Sequence, residues 1–421
     1  MTPPDLLPVT RPKLRRRLSL TLVILYGLGV TIGAGIYVLI GATAGRAGIH
    51  APVAFVLAAV VMGFSAATFC EFVVRFPVSA GEAAYVRAGF GSQSVALLVG
   101  MAVMVGGVVS SATISLGAAG YIGAFLYPIV TMERSTLTVV VIVVVAAVAC
   151  VGILESVAFA GLMTLIEMGG LLAIIVGGVV GTPDLLARLP EVVPTSFDTI
   201  VWSGIIGATL LAFFAFIGFE DMVNVAEEVR EPERTMPRAI FITLGLATLL
   251  YFLVTTIAVL NVPIAELGGS AAPLGLVFGA VTSLPPALIA AIATIATVNG
   301  IIIQVIMASR VLFGLCDQGT IRGAVGRFLG QVNSRTGTPV VATLAIAIVV
   351  GVLAVSFPIE RLADATSQII LVIFIVVNLA LIALKLRERG QLQPPNPGFR
   401  VPLWVPFAGA VLSLALIVFG G

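Results

Sequence analysis

The chain has 421 residues, 59% of them hydrophobic and only 10% charged, with a formal net charge of +2. Soluble domains carry about 25% charged residues, so this composition cannot cover a water-facing surface and excludes a soluble enzyme. The near-neutral balance gives no reason to expect a nucleic acid partner; the partner it demands is a lipid bilayer.

A membrane-spanning helix needs about 20 mostly apolar residues. Eleven such stretches are read, at about 19–45, 51–76, 93–127, 135–153, 156–181, 200–228, 238–262, 285–316, 338–357, 361–386 and 400–421. They predict an all-α membrane protein with a short N-terminal segment (1–18), a first five-helix unit (19–181), a second (200–386) and an eleventh helix (400–421). No cleaved leader is expected, because Arg15, Arg16 and Arg17 precede an apolar stretch too long for a signal-peptide core.

The first span contains VTIGAGIYVLIG (Val30 to Gly41), with three glycines in nine residues. Each costs about 1 kcal/mol relative to alanine in a helix interior. Close helix packing through Gly29 and Gly33, or Gly41 and Gly45, is one reading of these glycines; a broken helix is the other. The second span ends on Glu71 and Arg75, four residues apart and able to pair, with an inner gate or plain structure as the role of Glu71. Ser110, Ser111 and Thr113 lie on the third span, facing a direction the sequence does not fix. Glu167 sits in the middle of the fifth, where apolar surroundings favour the neutral acid. The sixth carries Gly218 at mid-span, followed at once by Glu220 and Asp221. A charge at bilayer depth costs roughly 2.5–3.5 kcal/mol. If the helix breaks near Ala215–Gly218, both acids fall in the first turn of a new segment, where the helix dipole favours them. Asn299 and Gln304 are polar positions within the eighth span.

Cys70, Cys150 and Cys316 lie in apolar runs without ligand spacing, and His50 is the only histidine, so neither a disulfide framework nor a metal site is expected. GATAGRAG lacks the Lys-Ser/Thr of a phosphate-binding loop, and no cofactor is implied. With the N-terminus in the cytoplasm, 18 Lys and Arg fall inside and 4 outside (Arg46, Arg134, Arg188, Arg361), accounting for all 22. Inner loops carry the basic excess, so this separation supports both the orientation and the span count.

Spans one and six are five apart, and each has a weak point. That is the pattern of an inverted five-helix repeat with interrupted first helices, and broken helices are tolerated only around an enclosed or watery cavity. Free N–H groups around Thr31–Gly35 would hold a carboxylate. Unpaired carbonyls at Phe213–Ala215 would take an ammonium. A ligand carrying both groups close together is an amino acid.

At these residues the chain resembles the amino acid–polyamine–organocation transporter family. The resemblance runs through GLGVTIGAGIYVLIGATAG, CEFVVRFPVSAGEAAYVRAGFG, FFAFIGFE with AEEVREPERTMPRAI, SRVLFGLCDQG and NSRTGTPVVAT, in that order, and covers nearly the whole chain. It implies the leucine-transporter (LeuT-type) fold of five-plus-five inverted repeats and alternating access. It implies backbone at Ile32, Gly33, Ala34 and Gly35 for the substrate carboxylate, and Phe213, Phe214, Ala215 and Phe216 for the amine, with Gly218 at the break. Phe214, with Phe216 as second candidate, would close over the substrate. Independently of the resemblance, Asn299 and Gln304 are candidates to line the cavity because they are polar at mid-span. Two departures stand out. Many sodium-independent relatives have a lysine where this chain has Glu167; proton coupling, a counter-charge for a cationic substrate, and a permanently protonated acid bonded to a neighbouring helix are its three readings. The family usually has twelve helices, and eleven are read here.

The reading is a secondary active transporter of amino acids in the cell membrane, a monomer or homodimer, coupled to protons or working as an exchanger. Glu71, Glu167, Glu220 and Asp221 are its candidate coupling or gating groups. A polyamine or cationic amino acid antiporter is the alternative.

Overall fold

A computed structural model describes residues 18–77, 81–126, 132–151, 157–317, 321, 323–388 and 398–421. Each of the eleven expected spans contains a helix. The first is made of α1 (Leu20–Ile32) and α2 (Ala34–Ala47), and the second is α3 (Ala51–Arg75). After α4 (Gly81–Phe90) come α5 (Gln93–Leu126), α6 (Arg134–Val151), α7 (Val157–Gly181) and the short α8 (Leu185–Arg188). The sixth span is α9 (Thr199–Phe214), continued by a 3₁₀ segment (Phe219–Glu228). Then follow α10 (Pro232–Asn261), α11 (Ile264–Gly269), α12 (Pro273–Val281), α13 (Pro286–Asp317), α14 (Gly323–Leu329), α15 (Val340–Ser356), α16 (Ile359–Glu388) and α17 (Trp404–Gly420). Eight of the helical stretches are long and apolar enough to cross a membrane. At 1.5 Å per residue, the 17-residue α15 and α17 reach about 25 Å, close to the apolar thickness of a bilayer.

The outward faces confirm the solvent. Val143 on α6, Val176 on α7, Ile348 on α15 and Phe419 on α17 are each at least 60% exposed. In lipid these side chains need no cover. The interior is closed by small residues: a Cβ built on Gly41 of α2 would lie 2.5 Å from the Leu267 carbonyl of α11. Gly41 therefore does serve close packing, as one reading of the first span had it.

Two connections hold structure that the hydropathy of the sequence does not reveal. The stretch after the second span contains α4. The connection after the seventh folds into α11 and α12, each too short to register as a span.

Ionic contacts fasten the two ends of the bundle. On the face rich in arginine and lysine, the fully buried Glu71 carboxylate accepts from Arg75, from Lys385 Nζ at 2.7 Å and from the Val401 N–H at 2.8 Å. Arg75 in turn donates to both Glu388 oxygens at 2.7 and 2.8 Å. This ties α3 to α16 and to the entry of α17. On the opposite face, Arg46 at the end of α2 donates to both oxygens of Asp364 on α16, at 3.2 and 2.6 Å. Among the described residues the strand content is a single bridge. Leu18 pairs with Val229: Leu18 N–H donates to Glu228 O and Arg230 N–H to Leu18 O, both at 3.0 Å. It joins the chain entering α1 to the chain leaving the 3₁₀ segment.

Candidate functional site

Both expected breaks are present. The first span parts at Gly33, whose φ of −40° and ψ of −128° leave the helical region. The last carbonyls of α1 and the first N–H groups of α2 are thereby freed of intrahelical partners. The sixth span ends at Phe214 and resumes as a 3₁₀ segment after Gly218, which has φ +122° and ψ −22°. Glu220 stands in the first turn of that segment and accepts from the Gly218 N–H at 2.9 Å. The acid therefore caps the new N-terminus.

The carbonyls of the second break are not unpaired, contrary to expectation. The chain leaves α9 through a tight turn in which Phe216 N–H donates to Phe213 O at 3.0 Å and Ile217 N–H to Phe214 O at 3.2 Å. Ala215 O accepts from the Tyr251 hydroxyl at 2.9 Å, and that same hydroxyl lies 2.8 Å from Thr31 O. One buried phenol on α10 thus serves both breaks. A 3₁₀ turn costs little and spares the backbone orphaned groups in an apolar interior, which is why it forms in place of an open gap. The signal for Tyr251 was available: a tyrosine inside a buried apolar helix needs a partner for its hydroxyl.

The breaks also touch. A Cβ on Gly35 would collide with the Ala215 backbone, and one on Gly218 would lie 2.7 Å from Val30 O. Between them and α5 and α13 lies a hollow of about 50 Å³ lined by Gly29, Val30, Thr31, Gly33, Ala34, Gly35, Ser110, Ile114, Phe214, Ile217, Ala296, Asn299, Gly300, Ile303 and Gln304. None of these side chains is charged. A second hollow of about 30 Å³ shares Ser110, Ile217 and Gln304 with the first and adds Glu82, Glu220, Asp221 and Thr366. A larger cavity of about 780 Å³, between the C-terminal end of α5, the N-terminal end of α13 and the chain at 270–272, reaches neither break. The small hollow is the better candidate because the broken backbone itself forms its wall.

The expected site residues divide accordingly. Gly33, Ala34, Gly35, Phe214 and Asn299 line the first hollow; Glu220 and Asp221 line the second. Ile32, Phe213, Ala215 and Phe216 are buried behind the wall, Phe216 packing against Tyr251 at 5.0 Å between ring centroids. Gly218 shapes the break without lining the hollow. Glu167 lies outside both hollows, where α7 packs on the first span: the Tyr37 hydroxyl donates to Glu167 O at 2.6 Å. Glu71 belongs to the ion cluster of α3 and α16. Of the three hydroxyls on α5, Ser110 lines both hollows, whereas Ser111 and Thr113 bond back to Gly107 O and Val109 O. Glu82, on α4 between two spans, was not anticipated. Among the described residues no His, Cys, Asp and Glu cluster able to hold a metal ion occurs.

Burial pushes the Glu82 carboxyl up to about 7 from its ordinary 4.5, against the bond from its own backbone and with help from Asp221. Raised in the fold, this group favours the native state most when protonated. Stability is therefore lost as pH rises from about 4.5 through about 7. Glu82→Gln is expected to flatten that decline, read as the thermal unfolding midpoint at pH 5 and pH 8.

An all-helical bundle with two interrupted spans around a small hollow is the arrangement of a membrane transporter. The chain belongs to the Amino acid permease family, whose pattern matches residues 18–420, and it is an amino acid transporter of the amino acid–polyamine–organocation type. It is 28% identical over 408 residues to the branched-chain amino acid permease BcaP of Bacillus subtilis, covering 91% of this chain and 84% of that one. It is 27% identical over 393 residues to the vacuolar cationic amino acid transporter 4 of Arabidopsis thaliana, covering 89% of this chain and 64% of that one. A substrate-bound, outward-open Na⁺-coupled sialic acid symporter shares the fold, with a TM-score of 0.59, 14% identity, and coverage of 96% of this chain and 89% of the other. The interrupted first and sixth spans are thus those of the LeuT-type inverted repeat.

Proposed function

We propose that the protein carries neutral amino acids across the cell membrane through the hollow between the two breaks, with its N-terminus in the cytoplasm. The observation that carries this reading is the hollow's lining: helix-terminal backbone, one aromatic and neutral polar groups, with no charged side chain. The first N–H groups of α2 suit a carboxylate. Neutral acceptors such as Asn299 suit the amine. Ile114, Ile217 and Ile303 suit an apolar side chain. The branched-chain permease among the relatives supports the same class.

The driving gradient in this reading is the proton. Glu167 is 1% exposed, and its helix contacts the first span on either side of Gly33, through Thr164 to Leu25 O at 3.2 Å and Tyr37 to Glu167 O. A protonation change there would bear on the first break. Cationic substrate is the second reading, favoured by Glu82, Glu220 and Asp221 around the second hollow and by the cationic transporters among the relatives.

Purified protein in proteoliposomes, given labelled leucine, alanine, arginine and putrescine under imposed proton or sodium gradients, separates these readings. Uptake of the neutral amino acids driven by an inward proton gradient is expected, with Glu167→Gln losing the pH dependence. Preference for arginine or putrescine would transfer the case to the second reading. An unchanged pH profile in Glu167→Gln would end the coupling role of Glu167.

A further inference from the structure

Many buried hydroxyls of this bundle bond back to their own helix, whereas six Ser and Thr hydroxyls among the described residues are buried without a hydrogen-bond partner: Thr31, Thr243, Thr255, Thr256, Ser367 and Ser413. Thr43, Thr113, Thr138 and Thr209 each donate to the carbonyl four residues earlier, at 2.8 to 3.0 Å. That bond satisfies a hydroxyl inside an apolar helix. Thr31 also lies in a helix, one residue before the end of α1, and is 2% exposed. Its Oγ1 is buried without a hydrogen-bond partner, although its backbone carbonyl is taken by Tyr251. Its residue forms part of the wall of the first hollow, beside the N-terminus of α2. A buried hydroxyl left unpaired is costly. Of the six, Thr31 alone belongs to the wall of the first hollow, where a bound ligand can supply the partner.

We propose that the Thr31 hydroxyl is a substrate-positioning group that donates to the carboxylate of the bound amino acid, alongside the first N–H groups of α2. This rests on the amino acid reading above. The hydroxyl adds a directed side-chain bond to a carboxylate otherwise held by backbone alone. It fixes the orientation in which the amine meets the second break.

The test compares wild type, Thr31→Val, which keeps the shape and removes the hydroxyl, and Thr31→Ser, which keeps the hydroxyl. Initial uptake rates for leucine and alanine are measured in proteoliposomes, and unfolding midpoints of the purified proteins are taken with and without 10 mM leucine as a probe, a concentration on the order of ten times the upper range of ordinary KM values. Thr31→Val is expected to raise KM about tenfold for both amino acids and to lose most of the leucine-induced rise in midpoint. Its midpoint without leucine should equal or exceed that of wild type, because an unpaired polar group has been removed. Thr31→Ser should recover a KM near wild type. A wild-type KM in Thr31→Val overturns the proposal. So does a lowered midpoint in the empty variant, which would mean the hydroxyl had an internal partner. If wild type itself takes up neither amino acid, the amino acid reading falls first.

Discussion

Gly218→Ala is expected to abolish amino acid uptake and to lower the unfolding free energy by about 3 kcal/mol. Two costs add. A side chain at φ +122° and ψ −22° is held in a conformation that L residues avoid, worth about 1–3 kcal/mol. The new methyl would also stand 2.7 Å from Val30 O and 2.8 Å from the Val30 side chain, so the two breaks would be forced apart. That separation reaches the hollow directly, since Val30 is part of its wall. Gly245→Ala is the matched control. Gly245 lies within α10 with nothing within 4 Å of a built Cβ, and alanine there should be neutral or stabilising. Equal uptake by the two variants would show that the contact at Gly218 does not govern transport.

Glu71→Ala should be the most destabilising single change on the basic face, at about 3–5 kcal/mol, the usual loss when one partner of a buried ion pair is deleted. The carboxylate is fully buried, and its removal leaves Arg75 and Lys385 without their shared acceptor and the Val401 N–H unpaired. Arg75 keeps Glu388, so the cluster is weakened rather than emptied. Glu71→Gln, which can still accept from Val401, should cost less. Denaturation in mild detergent measures both. Uptake per folded molecule should keep the wild-type pH profile in Glu71→Gln. A shifted profile at unchanged stability would restore Glu71 to the gating group that its place in the sequence suggested.

The spans and breaks were legible because each is an anomaly in a simple background. Glycines in an apolar helix, or a Gly followed by Glu-Asp at bilayer depth, have a cost that only a local structure can offset. The separation of basic residues then supported the number of crossings read. What stayed hidden depends on rotation about helix axes and on contacts distant in sequence. Ser110, Ser111 and Thr113 are alike in sequence, yet only Ser110 lines a hollow, because the other two hydroxyls are spent on their own helix. Tyr251 acts on carbonyls 220 and 36 residues away. The turn after α9 satisfies carbonyls that a simple break would expose, and nothing in FFAFIG distinguishes a 3₁₀ exit from an open one. Glu167 was visible as a misplaced acid; that it faces neither hollow was not.

The pairing of Leu18 with Val229 yokes the leading edge of one interrupted span to the trailing edge of the other. On that face the two half-helices cannot swing independently without tearing two backbone bonds. Leu18, just ahead of α1, is thus held directly against residues 228–230, where the 3₁₀ segment that begins beside Glu220 ends.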